Sequence, residues 1–104
     1  MSGNIEIAKL KLVTILASLA LGSRIASDLR ALGVSGYTKT KADGWGMHGS
    51  RQFGIVDGAN VRFETLVGAE LGQKILHTVA ANFSGQAAVA FSCDVDAVPS
   101  HHFR

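Results

Sequence analysis

Cysteine is nearly missing from this chain: Cys93 is the one example in 104 residues. No internal disulfide can form, so a small secreted scaffold held by cross-links is excluded. A soft-metal loop built on paired cysteines is excluded for the same reason. Proline is as scarce, with Pro99 alone, so there is no proline-rich linker. Charged residues are only 17% and the formal net charge is +2. Lys and Arg are spread along the chain rather than clustered, which argues against nucleic acid as a partner. Long apolar runs are also missing. The longest apolar-leaning stretch, Leu10 to Leu21, contains Lys11, Thr14 and Ser18 and is too short and mixed to cross a bilayer. The N-terminus has no basic region leading into an apolar core, so no signal peptide is expected and the expected location is cytoplasmic.

What the chain does have is apolar residues, at 47%, and twelve glycines. The length fits one domain, residues 1–104. A small monomer hides this much apolar surface poorly, so self-association is expected. Gly44, Gly46, Gly49, Gly54 and Gly58 fall within fifteen residues, where the backbone must be permissive.

Lys9 to Leu16 alternates and is rich in Leu, Val and Ile, which predicts a strand. Leu21, Ile25, Leu29 and Leu32 then follow at helical spacing, with Arg24 and Asp28 as an i,i+4 pair. Ser18 or Ser23 is placed to cap this helix and Gly33 to end it. Gly36 to Lys41 reads as a second strand. From Gly44 to Gly58 there is no periodicity, and a loop of that length is functional or disordered. Asn60 to Val67 predicts a third strand, Ala69 to Asn82 a second helix closed by Gly85, and Gln86 to Val95 a fourth strand.

The order βαββαβ gives an α+β, ferredoxin-like arrangement. Right-handed crossovers put both helices on one sheet face. The other face is expected to hold Val13, Ile15, Leu66, Ala88, Ala90 and Ser92, uncovered in one chain and buried in a symmetric oligomer.

The ferredoxin-like fold hosts many functions, so the site must decide. An RNA-recognition domain needs an aromatic pattern on its third strand that Asn60-Val-Arg-Phe-Glu-Thr-Leu-Val lacks. An acylphosphatase-like enzyme needs an arginine loop after the first strand, and Ala17 to Gly22 carries no charge. Gly44-Trp-Gly-Met-His-Gly-Ser-Arg-Gln differs from both. Glycine turns backbone N–H groups toward an anion, Ser50 donates, and Arg51 grips a phosphate or carboxylate. The competing reading is a surface loop with incidental charges. Trp45 either stacks on a base or anchors the loop. His48 contacts phosphate or bicarbonate, or is a solvated loop histidine. Arg62 projects from the third strand away from the helices, toward the loop root or into an ion pair with Glu64. Lys9 and Lys11 share a face that lines a basic cleft or an oligomer rim. Cys93, beside Val89 and Phe91, reads as a buried structural thiol. His101 and His102 are adjacent and point apart, so no metal site is expected. No catalytic triad is suggested, and the chain is not expected to be an enzyme.

These residues resemble the PII signalling superfamily. Gly33-Val-Ser-Gly-Tyr-Thr-Lys-Thr-Lys-Ala-Asp-Gly-Trp-Gly is similar to the PII segment that runs through the second strand to the base of the T-loop, and Asn60 to Val67 resembles its third strand. Ala81 to Gln86 is short and lacks the Gly/Lys-rich loop that grips ATP phosphates in nitrogen-regulating members. No tyrosine lies in the T-loop, residues 44–58, and the C-terminal Arg-x-Arg is missing, leaving Arg104. Gly49-Ser50-Arg51 resembles instead the branch associated with carboxysomes and bicarbonate transporters. That resemblance implies a homotrimer binding ADP or AMP, or cyclic AMP, between subunits, with bicarbonate as a second ligand. Thr38, Gly44, Trp45, Gly46, Ser50, Arg51, Arg62 and Ala88 would meet the nucleotide, and His48 with Arg51 the bicarbonate or another anion. The implied output is a ligand-ordered T-loop that docks on, or leaves, a membrane bicarbonate transporter, which makes the protein peripheral to the membrane. The alternatives are an ATP/2-oxoglutarate PII protein, a small dimeric ferredoxin-like enzyme using His48 or Ser50, and a metal-binding domain using the histidine pair.

Overall fold

Alternation begins earlier and runs further than the sequence pattern alone indicates: β1 spans Ala8–Ser18, because its two ends stay paired to neighbouring strands. The computed structural model describes residues 5–44 and 58–100. After β1 come a single 3-10 turn, Leu19–Leu21, and α1, Gly22–Ala31. Then follow β2 (Thr38–Gly44), β3 (Gly58–Val67), α2 (Ala69–Asn82) and β4 (Ala88–Ala97). The sheet order is β2-β3-β1-β4, with every neighbouring pair antiparallel. This is the expected α+β ferredoxin-like fold.

The ends of α1 follow local chemistry. Neither Ser18 nor Ser23 caps it by a side-chain hydrogen bond; Leu21 occupies the cap position, because the 3-10 turn delivers the chain already wound. Gly33 ends it as expected, at φ +90°. The Gly33 N–H donates to the Arg30 carbonyl and the Val34 N–H to the Leu29 carbonyl, the paired bonds of a Schellman motif.

Register corrects the assignment of sheet faces. Val13, Ile15 and Ala17 lie opposite Thr65, Phe63 and Val61 on one side and Ser92, Ala90 and Ala88 on the other. All of these share the helix-facing side, where Val13, Ile15, Ala17, Val61 and Phe63 are buried with Ile25, Leu29, Ile75 and Val79 of the helices. The face without helices carries Leu10, Leu12, Thr14 and Leu16 of β1, with Leu66 of β3 and Val89, Phe91, Cys93 and Val95 of β4. Of the residues expected there, only Leu66 is correctly placed. The error arises because both faces of β1 are apolar beyond Lys11, so alternation alone does not tell inside from outside. Cys93 accordingly is exposed rather than buried.

Candidate functional site

Strand ends decide what sits together. The end of β2, the start of β3, the end of β1 and the first turn of α1 meet at one end of the sheet, where Gly44 pairs with Gly58 and Asn60 with Ser18. The α2–β4 turn joins them, since the Ser18 N–H donates to the Ala87 carbonyl. Gly44 is therefore at the root of the glycine-rich segment. Buried Asn60 braces that root, its Nδ2 donating to the Gly58 carbonyl at 3.0 Å.

Thr38 lies opposite Glu64 and Thr40 opposite Arg62, all on the sheet face without helices. The Arg62 guanidinium is 3.8 Å from the Glu64 carboxylate. This is the ion pair weighed as one role for Arg62, and it is a partly exposed one that holds weakly. Beside it, Leu12, Gly36, Tyr37, Thr38, Glu64 and Leu66 line an open groove of about 430 Å³. Its wall is firm. The Thr65 hydroxyl donates to the Gly36 carbonyl at 2.6 Å, Tyr37 meets Phe63 edge-on at 5.3 Å, and Arg30 donates to the Tyr37 hydroxyl at 3.1 Å. An apolar wall, a threonine hydroxyl and a carboxylate suit a flat polar ring carrying an amino group. Tyr37, Glu64 and Leu66 line this groove although the sequence does not single them out as candidates. The alternation of β3 places Glu64 and Leu66 beside Arg62, which was the signal available.

Ala88 is elsewhere. It pairs with Ala17 on the helix side of β4, the opposite edge of the sheet. Two strands intervene between β2 and β4, so the two places are about 14 Å apart at ordinary strand spacing. Ala88 lines a second groove, of about 540 Å³, between α2 and β4. Trp45, Gly46, His48, Ser50 and Arg51 lie outside the described residues, as do His101 and His102.

Lys9 and Lys11 do not line a free basic cleft. Lys9 pairs with Asp96 across the strands at 2.8 Å and Lys11 with Asp94, directly opposite in register. The hydrogen bond from Lys11 holds the Asp94 carboxyl below its ordinary value, and the hydrogen bond to Asp96 pushes the Lys9 ammonium above its own. The expected Arg24–Asp28 pair is also replaced. Asp28 accepts from Asn82 at 3.1 Å, and Arg24 turns to Phe83 and Gln86. Tertiary partners on or just after α2 outcompete a helix-surface pair worth a few tenths of a kcal/mol. Among the described residues, no cluster of three His, Cys, Asp or Glu is arranged to hold a metal, and no helix is long and apolar enough to cross a membrane.

The family model for nitrogen regulatory protein P-II matches residues 10–101. No curated protein matches the chain. Among solved structures, one described as a PII-like signaling protein from Thermus thermophilus is 31% identical at a TM-score of 0.79, over 96% of this chain and 100% of that one. CPII from Thiomonas intermedia, bound to ADP and bicarbonate, is 25% identical at a TM-score of 0.80, over 97% of this chain and 100% of that one. The GlnK–ATP complex of B. subtilis, 16% identical at a TM-score of 0.59 over 84% of this chain and 82% of that one, shares the fold alone.

Proposed function

The chain belongs to the nitrogen regulatory protein P-II family as a PII-like signalling protein, and on that premise we propose that it senses an adenine nucleotide between the subunits of a homotrimer. ADP or AMP is the ligand, with cyclic AMP as a further candidate and bicarbonate as the second ligand. Residues 1–104 act as one domain, and segment 44–58 carries the signal to a membrane bicarbonate transporter or another step of inorganic-carbon metabolism.

One observation carries the reading: the candidate residues lie at opposite sheet edges. Thr38, Gly44 and Arg62 are at the β2–β3 edge and Ala88 is on β4. Thr38 and Arg62 also face away from the helices while Ala88 lies on the helix side of β4, so the sheet itself separates them in one chain; a cleft between two subunits brings the two faces within reach of one nucleotide. The likeness over nearly the whole chain to a structure holding ADP and bicarbonate supports the choice of ligands. In this arrangement the Glu64 carboxylate accepts from the adenine amino group, and Leu12 and Leu66 offer an apolar wall to the ring. Gly44 and Gly46 let the backbone approach the ligand, with Trp45 stacked beside it. Ser50 and Arg51 engage the phosphate, Arg62 assists from β3, and His48 with Arg51 holds bicarbonate.

Calorimetry with AMP, ADP, ATP and cyclic AMP, each with and without bicarbonate, tests the proposal. Binding of ADP or AMP in preference to ATP is the expected result, and no binding by any of the four overturns it. Arg51→Ala is expected to weaken ADP binding by about 1.5–3 kcal/mol, the worth of a hydrogen bond to a charged group.

A further inference from the structure

β1 outruns one of its two neighbours. Its register with β4 is unbroken from Ala17–Ala88 out to Ala8–Ala97, but its register with β3 stops at Lys11–Val67, where β3 ends and Gly68 turns the chain into α2. Past that point Ala8, Lys9 and Leu10 have β4 on one side and, among the described residues, no strand on the other. The direction of the backbone groups follows from the far end of the strand, where the Ser18 N–H donates toward β4, to the Ala87 carbonyl. With a period of two, even-numbered residues of β1 turn their N–H and C=O to β4 and odd-numbered ones to the β3 side. Lys9, and Ile7 and Ile5 where the strand runs on, therefore offer backbone groups to an open edge. The side chains there are apolar as well. Ile5, Ile7 and Val98 are three of the five large apolar side chains exposed among the described residues. Ile7 and Val98 are the next residues out from the last pair, Ala8–Ala97. Residues 5–9 also lie outside the span matched by the family model, 10–101. An open edge that carries aliphatic side chains is a template for another strand.

We infer that this edge is an interface between two copies of the chain, with residues 5–9 of each pairing antiparallel about a two-fold axis through Ile7. The edge fits itself. Ile7 faces Ile7 of the partner subunit, and Ile5 faces Lys9 of the partner subunit, whose methylene stem lies along it. Each facing pair is odd-numbered and exchanges both of its backbone hydrogen bonds. Asp96 holds the Lys9 ammonium at 2.8 Å, so the two lysines bring no uncompensated like charge together. Ile5, Ile7 and Val98 of both copies then form one aliphatic cluster on a sheet that continues across the axis. Five residues a side are far fewer than the ~20–30 of a standard interface, so the pairing is weak and is populated in concentrated protein. It joins two of whatever particle the chain forms in dilute solution, at the end of β1 away from Gly44.

Sedimentation velocity of the full chain from about 1 μM to about 1 mM tests this. The mean mass of the parent is expected to rise to about twice its dilute value. Ile7→Lys sets two ammonium groups across the axis and is expected to hold the dilute value, with circular dichroism unchanged. Cross-linking reads the register, in a Cys93→Ser background because Cys93 is exposed. The two copies of residue 7 face each other with Cα atoms about 5.5 Å apart, within disulfide range, while those of residue 5 are about 14 Å apart. Ile7→Cys is therefore expected to give a cross-linked pair of chains under oxidation, and Ile5→Cys little. A rise in mass that Ile7→Lys leaves intact, or equal cross-linking through both cysteines, overturns the interface. A mass that does not change with concentration overturns it too, and leaves the open edge to a strand from another protein.

Discussion

At the scale of the residue, Lys11 and Asp94 show how an exposed pair registers in stability. They face each other across β1 and β4, and Asp94 titrates below its ordinary range because Lys11 donates to it. A carboxyl with a depressed folded-state value stabilises above the unfolded-state value, and that stability is lost as pH falls through the folded one. Asp94→Asn is therefore expected to melt slightly below the parent at neutral pH, the two converging below the usual carboxylate range. Thermal melts across a pH series check this, and added salt is expected to narrow the gap, since the pair is solvent-screened. A gap that persists unchanged at acid pH contradicts the assignment. The same scale shows what the sequence hides. Arg24 and Asp28 match the helix-surface spacing, yet each leaves the other for a partner more than fifty residues away, on or just after α2. Cys93 joins Val89 and Phe91 on one face as alternation requires, but alternation carries no label for which face meets the helices. Such choices depend on contacts that exist only once the chain has folded.

Elements were far more legible. The βαββαβ order, both helices and the role of Gly33 follow from periodicity and from one glycine set just past an apolar stripe. Boundaries moved where pairing overrides composition: β2 starts at Thr38 rather than Gly36, because Tyr37 turns inward onto Phe63 and the Gly36 carbonyl is taken by the Thr65 hydroxyl. Two glycines on either side of this connection make a paired test. Gly33 sits at φ +90°, so Gly33→Ala is expected to cost about 1–2 kcal/mol, the penalty of the left-handed region for an L-residue. Gly36 has no positive φ and open space where a Cβ would go. Gly36→Ala is expected to be neutral or to stabilise by about 0.4–1 kcal/mol through the unfolded chain. Urea unfolding of the two variants separates them; equal effects contradict the C-terminal cap. In the core, Ile75→Ala removes a fully buried side chain between α2 and the sheet and is expected to cost about 2–5 kcal/mol by the same measurement.

The molecule as a whole is set by the sheet face that no helix covers. The two β1 neighbours differ in what they present there. Toward β3 it is mixed, with Thr38, Thr40, Arg62 and Glu64; toward β4 it is apolar, with Leu10, Leu12 and Leu16 beside Val89, Phe91 and Val95. Phe91 is 48% exposed in the single chain, a large ring standing in water at the centre of that apolar half. The sequence points to a bare apolar face from the wrong residues; the bare face stands because β1 is apolar on both sides, and self-association is the expectation drawn from it. If three copies bury this face against one another, a charge at Phe91 strands an unpaired carboxylate in the interface, while in a lone chain it merely replaces exposed ring with exposed charge. Phe91→Asp is therefore expected to abolish assembly and leave the fold intact. Light scattering is expected to give three chain masses for the parent and one for the variant, with far-ultraviolet circular dichroism unchanged. On the proposed shared site, nucleotide binding is expected to fall with assembly, because the candidate residues lie at opposite edges of one sheet and need a second subunit to meet. A parent that runs at two chain masses contradicts the trimer, and a monomeric Phe91→Asp that binds ADP as well as the parent contradicts the shared site.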